Sequence, residues 1–214
     1  MPKDTFNHLS EEKKEKIMRA SIHEFNEHGF EKGNVGEIAR QAGIAKGSMY
    51  QYFENKSELF LDTVKWAMGF LEMNFSKFIT IQDKTMDIFD YLYQNAKAAT
   101  FQMREERGLA VFIQNVFLGK FRELSDETMD YMLKMSDEYI LNMIRVGKEN
   151  GSVRKDIDDN ILSLFVIGVS YKIKEYLMKK ARNNGQDIID EDYEVYENEI
   201  KAMIELLKHG MGGK

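Results

Sequence analysis

Cysteine is absent from the 214 residues, and proline occurs only once, as Pro2. The lack of cysteine excludes disulfides and thiolate metal sites in this chain. Because no internal proline interrupts helices and helix-forming residues are abundant, we expect an all-α protein. No apolar run approaches the roughly 18 residues that a membrane span needs. The charged start, MPKDTFNHLSEEKK, lacks the apolar region of a signal peptide, so we expect a cytoplasmic protein without a membrane partner.

An excess of basic residues is also lacking, since the net charge is −6. Phosphate binding favours a basic surface, and the overall charge therefore argues at first against nucleic acid as a partner. The first 60 residues, however, carry nine basic and ten acidic side chains, so most of the acidic excess lies in the rest of the chain. A few well-placed cations suffice for a domain that binds DNA as a dimer, with a modest salt dependence.

Catalytic motifs are missing as well: there is no Ser-His-Asp order, nucleophile elbow, Walker loop or dinucleotide fingerprint. The four histidines are scattered, and only Glu24 and His28 have helical ligand spacing, so we predict no metal site and no cofactor. The acidic run 187–199 lacks EF-hand spacing and is interpreted as a solvated face. We do not expect an enzyme, although side chains that only folding brings together are invisible in a sequence.

The rest of the chain is organised around residues 34–59, NVGEIARQAGIAKGSMYQYFENKSEL. Asn34 with Glu37 is a capping-box variant that starts a short helix, and Gly43 stops it. A second short helix is predicted from Ala45 to about Tyr52. Two short helices about a glycine turn make a helix-turn-helix.

The second short helix has two apolar positions four residues apart, Met49 and Phe53. Its other side chains are predicted to face outward: Lys46, Gly47, Ser48, Tyr50 and Tyr52. Asn55 and Glu58 repeat the start signal, so a third helix begins there with Lys56 in its first turn.

Many positions between residues 10 and 60 are in register with a known signature: Gly29-Phe30, Ile38-Ala39, Ala42-Gly43-Ile44, Lys46-Gly47, Tyr50, Tyr52-Phe53, Asn55-Lys56 and Leu59. They resemble the N-terminal DNA-binding region of the TetR family of bacterial transcriptional repressors. The chain departs from the pattern at Asn34-Val35, where the family often has hydroxyl or β-branched residues, and at Ala45, where it often has serine. Losing that serine cap costs about 1 kcal/mol, so packing must hold the second short helix.

The resemblance implies an N-terminal three-helix head with the helix-turn-helix in residues 1–55, and a larger helical ligand-binding and dimerisation body in residues 56–214. It implies a ligand-responsive homodimeric repressor that binds double-stranded operator DNA and is released by a small apolar or amphipathic molecule. The implied DNA-binding residues are Asn34, Val35, Arg40, Ala45, Lys46, Gly47, Ser48, Tyr50, Gln51, Tyr52 and Lys56. The alternative is an all-α carrier or enzyme that binds a small apolar molecule and no DNA.

Helical periodicity predicts the remaining elements. Residues 1–9 are expected to form a loose arm, Ser10 to cap a helix that ends at Gly29, and residues 82–85 to form a loop. The segment 157–182 is apolar on more than one side, so it must be buried in the body or against a partner. The last helix carries a heptad stripe, which consists of Tyr193, Tyr196, Ile200, Met203 and Leu207.

We predict that helices 157–182 and 192–209 pair with a second copy of the chain, through Leu164, Gly168, Val169, Tyr196, Ile200, Met203 and Leu207. Aromatic and methionine side chains from several body helices could converge on an apolar ligand, namely Phe89, Tyr93, Phe112, Tyr139, Met143 and Phe165.

Overall fold

The computed structural model describes residues 3–78, 86–121 and 125–213. Within those ranges the chain forms α-helices and no β-strand beyond a single bridge between Val153 and Gly212, which confirms the all-α prediction. The predicted loop at residues 82–85 lies outside the described residues. No helix in the described ranges is long and apolar enough to cross a membrane. The helices are α1 (Asp4–Asn7), α2 (Glu11–Lys32), α3 (Val35–Gln41), α4 (Lys46–Tyr52), α5 (Lys56–Phe78), α6 (Ile88–Glu105), α7 (Arg107–Phe117), α8 (Ser125–Asn150), α9 (Asp159–Asn183) and α10 (Glu197–Met211).

The chain divides into two compact units, which we call the head unit and the body unit. The head unit comprises Met1–Met73 and Glu106–Asp130, and the body unit comprises Asn74–Glu105 and Tyr131–Lys214. This division does not follow the predicted boundary at residue 55, because the first turns of α5 and all of α7 pack with α2 in the same unit as the helix-turn-helix. Which residues suffice to bind DNA therefore stays a prediction.

An aromatic core joins three helices of the head unit. Phe25 of α2, Phe60 of α5 and Phe112 of α7 are fully buried. The ring centroid of Phe60 lies 5.0 Å from that of Phe25 and 5.5 Å from that of Phe112, both in edge-on contact. At the rim of this core, Arg19 of α2 forms a two-pronged ion pair with Glu106 at the start of α7, at 2.8 and 3.1 Å. These contacts make α7 a structural part of the head.

The N-terminal residues differ from the predicted loose arm. Residues Asp4–Asn7 form one helical turn, and Phe6 is only 5% exposed. A single aromatic residue in a polar stretch gives no periodic signal, which is why the sequence reading missed this turn. Ser10 caps α2 as predicted, but at Gly29, where φ is +71°, the helix is interrupted and then resumes as far as Lys32.

The body unit has a core built from α6, α8, α9 and α10, with Val153 from the connection between α8 and α9. Its buried members are Ile88, Phe89, Tyr91, Met143, Ile144, Val153, Leu162, Val166, Ile204, Leu207 and Met211. A smaller cluster of Leu177, Ala181 and Tyr196 joins the second half of α9 to the start of α10.

The heptad stripe on the last helix does not face outward. Tyr193 lies in a short 3-10 turn before α10, and it is buried together with Tyr196 and Leu207. Ile200 and Met203 pack against the core of the same body unit. The prediction that this stripe faces a partner is therefore wrong for the buried Tyr193, Tyr196 and Leu207, and it stays a prediction for the half-buried Ile200 and Met203. A heptad pattern shows that a face is apolar and not what covers it.

Helix α9 is not buried on all sides by its own chain. It exposes five large apolar side chains, which are Ile161, Leu164, Phe165, Tyr171 and Tyr176. Of the two explanations that the sequence left open for this apolar segment, burial inside the body alone is excluded.

Helix α8 passes close to its neighbours at Gly147. A Cβ atom there would lie 2.5 Å from Cγ2 of Val153 and 2.9 Å from Cγ2 of Ile88. We expect Gly147→Ala to lower the free energy of unfolding by about 1–3 kcal/mol, measured by urea denaturation, because both neighbours are core residues.

Gly69→Ala on α5 is the matched control, since no described atom outside its own helix backbone and chain neighbours lies within 4 Å of its Cβ position. This control should be neutral or up to about 1 kcal/mol stabilising, because alanine favours a helix over glycine. A Gly147→Ala variant as stable as the wild type would contradict the close packing.

Candidate nucleic-acid interface

The start of α3 is fixed from two sides. The Asn34 side-chain oxygen accepts a hydrogen bond from the backbone N–H of Gly36 at 2.8 Å, so Asn34 is the predicted N-cap. Its own backbone N–H donates to the carboxylate of Glu24 at 2.9 Å. Glu24, on α2, is only 3% exposed. Glu24 thus has the role that the capping-box reading gave to Glu37, and it ties α3 to α2.

The turn between α3 and α4 has the predicted form. Gly43 has a φ of +71°, and the N–H of Ile44 donates to the carbonyl of Ala39 at 2.9 Å, which closes the helix end. Ala45, at the start of α4, makes no side-chain cap. Packing of Met49, which is buried as predicted, stabilises helix α4 instead.

The outward face of α4 consists of Lys46, Gly47, Tyr50 and Gln51, with Ser48 half-buried beside them. Tyr50 is 50% exposed. Apart from its own helix backbone and chain neighbours, no atom of the described residues lies within 4 Å of a Cβ position at Gly47, so no described contact requires glycine there.

Tyr52 does not belong to the outward face of α4. Its side chain is 8% exposed, and its ring centroid lies 6.0 Å from that of Phe6. The prediction that Tyr52 faces outward is wrong, because the unforeseen helix α1 covers this position.

Arg40 is exposed on α3, but it already has an anionic partner. Its Nε donates to Oε2 of Glu37 at 3.0 Å, and these hydrogen bonds hold the pKa of Glu37 at about 2. Glu37 is therefore ionised at neutral pH. Its negative charge opposes any attraction of Arg40 to phosphate.

Lys56 at the start of α5 is used inside the head. Its ammonium donates to the carbonyls of Glu31 at 2.9 Å and Gly33 at 3.3 Å, and it lies 4.7 Å from the centre of the Phe30 ring. An ammonium has three donors, so Lys56 can still offer one to a phosphate. Asn34 is exposed, and Val35 is half-buried beside it.

The six predicted ligand-binding residues do not come together as one set. Phe112 belongs to the aromatic core of the head unit, whereas Phe89 and Met143 are buried in the core of the body unit. Tyr139 and Phe165 are partly exposed. Tyr93 packs against the body core, so only a part of the predicted lining lies in one core.

The predicted dimer residues divide into three groups by exposure. Leu164 and Gly168 are exposed on α9, whereas Val169, Ile200 and Met203 are half-buried against their own core. Tyr196 and Leu207 are buried. A partner could therefore reach the α9 residues, but not the last two.

The family model described as "Bacterial regulatory proteins, tetR family" matches residues 17–63, which run from α2 into α5. Residues 17–63 therefore belong to the DNA-binding region of the TetR family. Over 147 residues the chain is 25% identical to the Staphylococcus aureus biofilm operon negative transcriptional regulator IcaR, covering 64% of this chain and 76% of IcaR. These matches identify a DNA-binding transcriptional regulator.

Solved TetR-family structures share the fold over nearly the whole chain. SmeT, the repressor of the Stenotrophomonas maltophilia multidrug efflux pump SmeDEF, is similar with a TM-score of 0.69 at 16% identity, covering 98% of this chain and 93% of SmeT. FadR from Bacillus subtilis, solved in complex with stearoyl-CoA, has a TM-score of 0.64 at 20% identity, covering 92% and 98%.

Replacing Lys46 or Lys56 of the TetR-like head should have different effects on the stability of the head. We expect Lys46→Ala to lower the slope of log affinity against log salt by about one for each head without changing the urea midpoint. Lys56→Ala should lower the slope similarly and also destabilise the head by about 1 kcal/mol, because two carbonyls lose their donor. Both slopes are measured by fluorescence anisotropy on one labelled duplex. An unchanged slope for Lys56→Ala would show that this ammonium acts only inside the head.

Proposed function

We propose that this TetR-family protein is a homodimeric repressor that binds operator DNA through α4 and is released by a small apolar or amphipathic molecule. It acts in the cytoplasm and catalyses no reaction. The observation that carries this proposal is the outward face of α4, where Lys46, Gly47, Tyr50 and Gln51 are exposed on a helix whose other side is buried. The name of IcaR, a negative transcriptional regulator, supports repression.

The exposed face suits a major groove. Gln51 has an amide that can pair with a base edge, and the Tyr50 hydroxyl and Lys46 ammonium are typical phosphate partners. Gly47 carries no side chain, so the DNA can approach the helix backbone there. Two heads bind successive major grooves when their recognition helices are about 34–36 Å apart.

Selection of duplexes from a random-sequence pool by the purified protein tests this function. We expect an enriched, two-fold symmetric site, and salt-dependent elution of the protein from heparin. Failure to enrich any duplex would favour the alternative, an all-α carrier or enzyme that never binds DNA.

The homodimer is proposed to form through one face of α9. Ile161, Leu164, Phe165 and Gly168 recur at three- and four-residue steps, so they lie on the same side of the helix. Leu164 is 67% exposed, which is unusual for a leucine with apolar neighbours on its own face. A second copy of the chain that presents the same stripe would bury the stripes of both copies by two-fold symmetry.

If the dimer forms through α9, a charged residue at position 164 should dissociate it. Leu164→Asp would place a carboxylate in an apolar interface, so sedimentation velocity should show particles of half the mass. Operator binding should weaken with dissociation, because one head contacts too few phosphates.

Leu133→Asp on α8 is the matched control, since Leu133 is also exposed but lies off this stripe. It should remain dimeric. Dimers of Leu164→Asp with normal DNA binding would place the interface elsewhere.

The ligand is proposed to bind in the body unit, where Phe89, Tyr93 and Met143 belong to or pack against one core. Methionine and aromatic side chains adapt to flexible apolar groups. The complex of FadR with stearoyl-CoA supports an apolar or amphipathic ligand. Such a ligand releases DNA only if it binds the DNA-bound and released states with unequal affinity.

A panel of fatty acids, acyl-CoA thioesters and aromatic drugs tests the ligand class, with free coenzyme A as the matched control for stearoyl-CoA. We expect the panel members that raise the thermal midpoint to lower affinity for the selected duplex as well, because binding and release are linked. Fluorescence anisotropy of the labelled duplex measures that release. A panel without any stabilising member, or with stabilisers that leave DNA affinity unchanged, would contradict an apolar effector.

A further inference from the structure

The last turn of α4 is closed by the N-terminal residues of the chain. A helix leaves its final carbonyls without intrahelical partners. In α4, three consecutive carbonyls accept hydrogen bonds from the N-terminal residues. The Lys3 ammonium donates to the carbonyl of Tyr50 at 3.0 Å, and the Thr5 hydroxyl donates to the carbonyl of Gln51 at 2.5 Å. The Lys3 backbone N–H donates to the carbonyl of Tyr52 at 2.9 Å. The positive charge of Lys3 also stands at the negative end of the helix dipole.

Phe6 anchors these donors. It is buried, and its ring centroid lies 4.8 Å from that of Phe53 and 6.0 Å from that of Tyr52. The aromatic contacts hold α1 against the end of α4, so Lys3 and Thr5 are kept in place.

Helix α4 needs such support because it has only seven residues and no side-chain cap at Ala45. Isolated helices of this length do not persist in water. Met49 fixes one side of the helix. The N-terminal residues fix its C-terminal turn, where the side chains of Tyr50 and Gln51 face outward.

We propose that Lys3, Thr5 and Phe6 are positioning residues that set the orientation of Tyr50 and Gln51 for reading the operator. This inference rests on the proposed binding of DNA through α4. Base-edge hydrogen bonds demand well-placed side chains, whereas sequence-independent attraction to phosphates depends on charge and tolerates small shifts. Loosening the end of α4 therefore reduces discrimination between sequences more than it reduces general affinity for DNA.

The test compares two duplexes of equal length, the one selected by the wild-type protein and a scrambled version. Thr5→Val removes the hydroxyl at nearly constant shape, and Lys3→Met removes the ammonium. Thr5→Ser and Lys3→Arg keep the donors. Asn26→Ala is the matched control, because it removes a 2.9 Å hydrogen bond to the carbonyl of Gly108 in the same unit without touching α4.

We expect Thr5→Val and Lys3→Met to raise Kd for the selected duplex roughly tenfold and to leave Kd for the scrambled duplex within about twofold, with an unchanged salt slope. Thr5→Ser and Lys3→Arg should restore discrimination. Asn26→Ala should lower the thermal midpoint and keep discrimination intact.

Two results would overturn this inference alone. An equal loss on both duplexes with a lower salt slope for Lys3→Met would make Lys3 a phosphate contact. Discrimination that stays at the wild-type level in both variants would make the N-terminal residues merely structural. A wild-type protein that does not prefer the selected duplex would instead refute the proposed function, and this inference with it.

Discussion

The ring of Phe60 contacts four other aromatic rings, with centroid distances of 5.0–5.5 Å to Phe25, Phe30, Phe112 and Phe121. Because these rings come from α2, α5, α7 and the turn after α7, one contact set joins the start of α5 to α2 and to α7. Edge-on aromatic packing of this kind is directional as well as apolar. The orientation of α2, on which α3 packs, therefore depends on this core, and α4 in turn packs on α3. Helix α7 shares the same core.

The head uses many of its polar groups for its own structure. Glu24 caps α3, Lys56 bridges the turn after α2, and Arg40 is paired with Glu37. Among the basic residues implied to bind DNA, Lys46 alone is exposed on α4. This distribution agrees with a net charge of −6. It also agrees with the proposed recognition of operator DNA, which depends more on the placement of α4 than on a large basic surface.

The apolar faces of α9 and α10 in the body unit differ in what packs against them. The stripe on α10 is covered by the core of its own chain, since Leu207 is buried and Met203 packs on the same cluster. The stripe on α9 is exposed at Leu164 and Phe165. The sequence pattern predicted that both faces contact a partner, because both are apolar. Packing distinguishes them, since a regular heptad spacing also suits a helix that packs inside its own chain.

Interactions between residues that are close in the sequence determined the local structure of the helix-turn-helix. The Asn34 cap, the left-handed Gly43 and the burial of Met49 each depend on neighbours within a few residues, so the sequence was sufficient to predict the helix-turn-helix. Only the tertiary structure decided that Tyr52 is buried beneath Phe6 and that Phe112 belongs with the head, because those contacts join segments far apart in the chain. Periodicity identifies an apolar face, but the partner of that face is selected by packing between distant segments.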